Sequence, residues 1–199
     1  MSRYLSSLGL LLCSALPTAA MAHTGAGAHS FMAGALHPLG GLDHLLAMLA
    51  VGLLAGCTGG HMRWGLPAAF VATMAMGAGL GANGVGVPFV EVAIALSLIA
   101  FGWVLVSRQF SSAPVLVALT AGFAVFHGHA HGTEMGADLS AMPYALGFML
   151  ATALLHAVGV LLTTKTLLPL PQAALRKWSG GAIAVTGVAS LCVMLVVPT

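Results

Sequence analysis

Charge is scarce in this chain. Four acidic and six basic side chains make up 5% of its 199 residues, where a soluble domain carries about 25%. With 59% hydrophobic residues and a mean hydropathy of +1.04, that shortage puts the chain among membrane proteins. The basic residues are spread over the whole length, so no basic patch offers itself to a nucleic acid. Cysteine is nearly as sparse. Cys13, Cys57 and Cys192 lie far apart, no CxxC is present, and neither a disulfide framework nor a thiolate cage follows. All three read as small core or membrane-facing residues. Nucleotide motifs are missing too. "GLGANG" has the glycines of GxGxxG at Gly79, Gly81 and Gly84 but ends a membrane helix with no strand before it, and "GVLLTTKT" has Thr164 where a P-loop needs glycine.

Long apolar runs are plentiful. The N-terminus "MSRYLSSLGLLLCSALPTAAMA" has a basic n-region at Arg3, a short apolar stretch and the small-x-small site Ala20-Met21-Ala22. It reads as a secretory signal peptide over residues 1–22, leaving a mature chain of residues 23–199 that begins at His23. Six runs follow, near 37–57, 64–82, 88–107, 114–132, 143–163 and 179–198, each close to the ~20 residues of a membrane-spanning helix. The expected fold is an all-α integral membrane protein of six transmembrane helices. Pro88, Pro114 and Pro143 stand at the starts of three runs, where proline is tolerated. Glycines at four-residue spacing, Gly52/Gly56, Gly77/Gly81 and Gly128/Gly132, predict close helix packing in lipid. Spans 1 and 4 open two three-helix halves of opposite orientation. That arrangement fits a 3+3 inverted repeat with a site between the halves, although no sequence match joins them.

A cleaved leader places residue 23 outside and the 1–2, 3–4 and 5–6 loops inside. Arg63, Arg108, Lys165, Arg176 and Lys177 then all fall on or beside inner loops, while the outer loops hold Glu134 and Asp138. The positive-inside rule is obeyed. Localisation follows as a bacterial inner membrane with both mature termini periplasmic.

The odd abundance is histidine, nine residues against four acids, and much of it lies inside the apolar runs. An ionisable side chain near the bilayer centre costs roughly 2.5–3.5 kcal/mol and marks a functional site by default. His37, Asp43 and His44 fall in the outer half of span 1. Glu91 opens span 3, and His127, His129, His131 and Glu134 end span 4. All share one depth band. His37 and His44, seven residues and so two turns apart, share a face of span 1, with Asp43 turned about 100° from His44. His127 and His131 have the i, i+4 spacing of a chelating pair, Glu134 lies a turn further on, and His129 points elsewhere. Imidazoles with carboxylates suit Ni, Co, Zn or Cu(II) better than Mg or Ca. Structural readings compete: His37 before Pro38 fits a helix N-cap, Asp43–His44 a hydrogen-bonded pair, His127–His131 a wet helix end. His23 and His29, in the mobile Gly-rich tail "HTGAGAHS", either idle or capture metal with the help of the free α-amine. His61 reads as a loop residue. His156, deeper in span 5, reads as a core residue or as a point on an exit path.

The motifs HPxxGxDH, from His37-Pro38 to Asp43-His44, and FHGxAHGxE, from Phe126 to Glu134, resemble those of the HupE/UreJ family of nickel or cobalt permeases, associated with hydrogenase or urease maturation. The resemblance covers the whole mature chain. The gap of five residues between His37 and Asp43 separates it from the related nickel–cobalt transporters, whose gap is four. The resemblance implies that His37, Asp43, His44, His127, His131 and Glu134 serve metal recognition and passage. Ni(2+) or Co(2+) would be cargo, with no permanently bound cofactor. The implied partners are the metal ion and the lipid bilayer, with neither nucleotide nor nucleic acid, and no motif sets an oligomeric state. Two rival classes remain: an intramembrane metalloenzyme, for which Glu91 or Glu134 would be the acid or base although HExxH is missing, and a metal-sensing or storage protein that binds without flux.

Overall fold

The computed structural model describes residues 26–107, 112–164 and 171–196. The leader, His23, Cys13, Arg108 and Lys165 lie outside the described residues. Among those described are seven α-helices: α1 (Ala26–Leu36), α2 (Leu42–Thr58), α3 (Met62–Ala82), α4 (Val90–Ser107), α5 (Ala113–Glu134), α6 (Ala141–Thr163) and α7 (Gln172–Val196). Helices α3 to α7 are each long and apolar enough to cross a membrane, and α1 with α2 make a sixth span broken by an 80° bend.

That break corrects two expectations. Span 1 is not one helix over 37–57. His37–Leu39 form a 3-10 turn, Gly40 closes it, and Gly41 caps α2 in extended conformation (φ −108°, ψ 120°). Pro38 and the Gly40-Gly41 pair supply the cause: one withholds an amide, the other lowers the cost of leaving helical dihedrals. His37 and His44 therefore do not share the face of a continuous helix. The Gly-rich tail is also not loose throughout, because residues 26–36 form α1. There Ser30 Oγ accepts the Ser140 amide (2.8 Å), and Gly34 and Gly147 let α1 pack on α6. His29 sits exposed on α1. The last span starts earlier than expected, at Gln172 rather than 179, and Pro88 stands in the turn before α4 rather than in its first turn.

Glycine decides how the helices pair. A Cβ on Gly52 or Gly56 in α2 would overlap the His156 carbonyl or the Thr163 hydroxyl of α6. On Gly77 and Gly81 in α3 it would overlap the carbonyls of Val125 and His129 in α5, and on Gly128 and Gly132 those of Met74 and Ala78 in return. Gly102 and Gly180 do the same for α4 and α7. Backbones so close gain dispersion energy that hydrophobicity cannot supply in lipid. The residue order along each seam makes α2/α6 and α3/α5 parallel and α4/α7 antiparallel. At the far end of the bundle from the acidic residues, buried Arg176 donates from Nη1 to the Leu105 carbonyl (2.6 Å) and ties α7 to α4. Cys57 is half-buried and Cys192 exposed, both as free thiols.

Candidate metal centre

The elbow before α2 and the end of α5 meet at one mouth of the bundle. His37 Nε2 donates to Glu134 Oε2 at 3.0 Å. The His131 ring lies against both His37 (centroids 4.7 Å) and His44 (4.4 Å). His44 stands edge-on to His127 at 5.1 Å. Thus α2 and α5, far apart in sequence, bring their ligand-type residues together. His37 joins them because the chain bends, not because it lies two turns from His44. His37, His131 and Glu134 offer ligand atoms that all lie within 4.8 Å of one another, a set that small rotations can close around one ion at about 2.1 Å per nitrogen.

An open cavity of about 520 Å³ leads to this cluster, lined by His37, Asp43, His44, Glu91, His131 and Glu134 among others. Three of the chain's four acidic side chains, Asp43, Glu91 and Glu134, face it, and among the described residues no lysine or arginine does. Such a mouth concentrates cations.

Hydrogen bonds set the imidazole tautomers. Asp43 Oδ1 accepts from His44 Nδ1 (2.9 Å) and from the His44 amide (2.8 Å), which leaves His44 Nε2 as a bare lone pair, buried and without a partner among the described residues. Ser97 Oγ donates its only proton to the Ile94 carbonyl (2.7 Å) and so accepts from His127 Nε2 (3.0 Å). His127 Nδ1 is then the lone pair, likewise buried and unpaired among the described residues. Neither ring nitrogen of His131 has a partner among the described residues. Buried polar atoms are normally satisfied, and each exception costs about 1–3 kcal/mol. Three neighbouring imidazoles with free lone pairs are a donor set for a transition-metal ion.

The remaining histidines are placed differently. His129 donates from Nε2 to the Val85 carbonyl (2.7 Å) and pins the turn after α3, away from the cluster. His29 does not line the cavity, and exposed His61 stands at the N-cap position of α3 with no side-chain capping bond. His156 is buried deeper, with Phe70 between it and His127 (5.1 and 5.7 Å). Sequence reasoning missed Ser97, Phe70 and Tyr144, whose ring lies 5.8 Å from His37. No local pattern announces an ordinary Ser, Phe or Tyr that meets its histidine from another helix.

Comparison with known proteins supplies an independent measure. The family model described as "HupE / UreJ protein" matches residues 10–190. "Protein HupE" of Rhizobium leguminosarum bv. viciae is 41% identical over 181 residues, covering 91% of this chain and 94% of that protein. No solved structure matches.

Proposed function

The chain belongs to the HupE/UreJ family, and from that premise we propose that it is a permease carrying Ni(II), or Co(II), inward from the periplasm. The observation that supports this most is the carboxylate-lined mouth over a cluster of imidazoles with bare lone pairs. His37, His131 and Glu134 take the arriving ion. Binding exchanges the His37–Glu134 hydrogen bond for coordination, the Nε2 proton moving to Nδ1 of the same ring so that a lone pair faces the ion. His44 Nε2 and then His127 Nδ1 receive the ion from this first set. Glu91 acts through its charge at the rim. Asp43 orients His44 from the second coordination layer, a role that differs from direct ligation.

No nucleotide is required. A divalent ion falling through 100 mV releases about 4.6 kcal/mol, enough for a roughly thousandfold accumulation. Helix pairing favours a 3+3 inverted repeat, because exchanging the halves turns α2/α6 into α5/α3 and returns α4/α7 to itself. Cleavage of the leader and supply of metal for hydrogenase or urease maturation belong to the same reading.

Proteoliposomes with an inside-negative potential test it. Offered Ni, Co, Zn and Mn separately, they should show saturable Ni or Co entry that His44→Ala and His127→Ala abolish. Binding without flux in the wild-type protein would replace the permease by a sensor or store. Asp43→Asn should weaken Ni(II) binding by about 10–100-fold, the usual loss when the carboxylate behind a metal-bound imidazole is removed, with the fold retained. Calorimetry on the detergent-purified variant measures this, and unchanged affinity would remove the orienting role.

A further inference from the structure

Below the mouth, the core holds a second group of donors. Most threonines on these helices satisfy their hydroxyls locally: Thr58, Thr73, Thr133, Thr163 and Thr186 each bond a backbone carbonyl one turn back, the usual helical habit. Thr152 does not follow it. Its Oγ1 reaches across the bundle to Met48 Sδ (3.3 Å) and lies 3.8 Å from Met74 Sδ. Three helices, α2, α3 and α6, thus aim two thioethers and a hydroxyl at one point, and all three residues are fully buried. His156 follows Thr152 by one turn on the same face of α6. Both of its ring nitrogens are buried and without a partner among the described residues.

We propose that Met48, Met74, Thr152 and His156 form an inner station that takes a borderline-soft transition-metal ion through thioether sulfur and imidazole nitrogen. The proposal rests on the permease reading and adds to it a second binding step of different chemistry. Thioether sulfur beside imidazole, which suits Ni, Cu and Zn, discriminates against Mn and Mg, which prefer oxygen. The outer mouth gathers cations by charge, and the inner station sorts them by softness. Methionine suits this task because its unbranched chain swings a donor without leaving the core. Phe70, whose ring touches both His127 and His156, is the partition between the two stations, and its displacement opens the step from one to the other.

The test uses the full chain with Ni(II) or Co(II) as the only probe. X-ray absorption on the loaded, purified protein reads the ligand shell, equilibrium binding reads the stoichiometry, and vesicle flux reads passage. In the wild type a sulfur shell and a second bound ion are expected. Met48→Leu with Met74→Leu keeps the core volume and should remove both, as should Thr152→Val with His156→Leu, while the outer ion stays bound. Flux should fall by at least about tenfold. A shell of nitrogen and oxygen alone in the wild type would overturn the station. Sulfur ligation with unchanged flux in the leucine variant would overturn its place on the path. A wild type without flux would sink the permease reading instead, and the sulfur shell and its loss in the leucine variant would then decide the station by themselves.

Discussion

His131→Ala should lower Ni(II) or Co(II) entry per folded molecule by at least about a hundredfold, equivalent to roughly 2.7 kcal/mol. His131 lies against His37 and His44, borders the cavity and has no hydrogen-bond partner at either ring nitrogen among the described residues. Removing it therefore breaks no internal bond but deletes a donor shared by the outer set. The ring also packs on Phe148 at 4.1 Å, so His131→Gln, closer in volume, separates ligand loss from packing loss and should be as inactive. His129→Ala is the contrasting case. Its ring serves the Val85 carbonyl, so the variant should keep most of its flux and lose stability. Uptake by proteoliposomes beside thermal unfolding in detergent distinguishes the two. Equal flux losses in His129→Ala and His131→Ala would contradict the assignment.

Gly128→Val should prevent accumulation of folded protein. A Cβ there overlaps the Met74 carbonyl and presses on the Ala78 amide, and backbone atoms cannot move aside as a side-chain tip can. Helices α3 and α5 would separate along their whole seam at a cost of about 3 kcal/mol or more. Because α5 carries His127, His131 and Glu134, the candidate metal site would go with the seam. Gly122→Ala on the same helix meets nothing within 4 Å and should leave the melting temperature unchanged or slightly raised, by the helix propensity that alanine adds. Size-exclusion profiles and melting temperatures in detergent check both. A folded Gly128→Val variant with wild-type melting would show that the seam tolerates separation.

The spans were legible because hydropathy over some 20 residues reports directly on the bilayer, and the glycine spacing announced the seams before any partner was known. The elbow was not legible. Its signals, Pro38 and Gly40-Gly41, were present, but proline is as welcome in a first helical turn as in a break, and the apolar run on both sides favoured the continuous reading. The candidate site divides in the same way. Residue type and depth singled out His37, His44, His127 and His131. The pairing of His37 with Glu134 spans 97 residues, of His127 with Ser97 30, and of Thr152 with Met48 104. Contacts of that range follow from helix arrangement and leave no periodicity to read. His129 shows the converse: residue type and depth made it a possible point on the metal path, and a backbone carbonyl from the turn after α3 claimed the ring.

The elbow also sets the electrical position of the first ligands. With 17 residues, α2 is about 25 Å long at 1.5 Å per residue, short of the roughly 30 Å hydrocarbon layer. In the proposed orientation, with the Thr58 end at the inner face, its first turn lies below the outer face, at the bottom of the open cavity. In the proposed permease, an ion resting beside His44 would already have passed through part of the membrane's voltage drop. Occupancy of the proposed outer ligands would then be voltage-dependent in its own right, and an energised membrane would hold the ion at the mouth more tightly than a depolarised one.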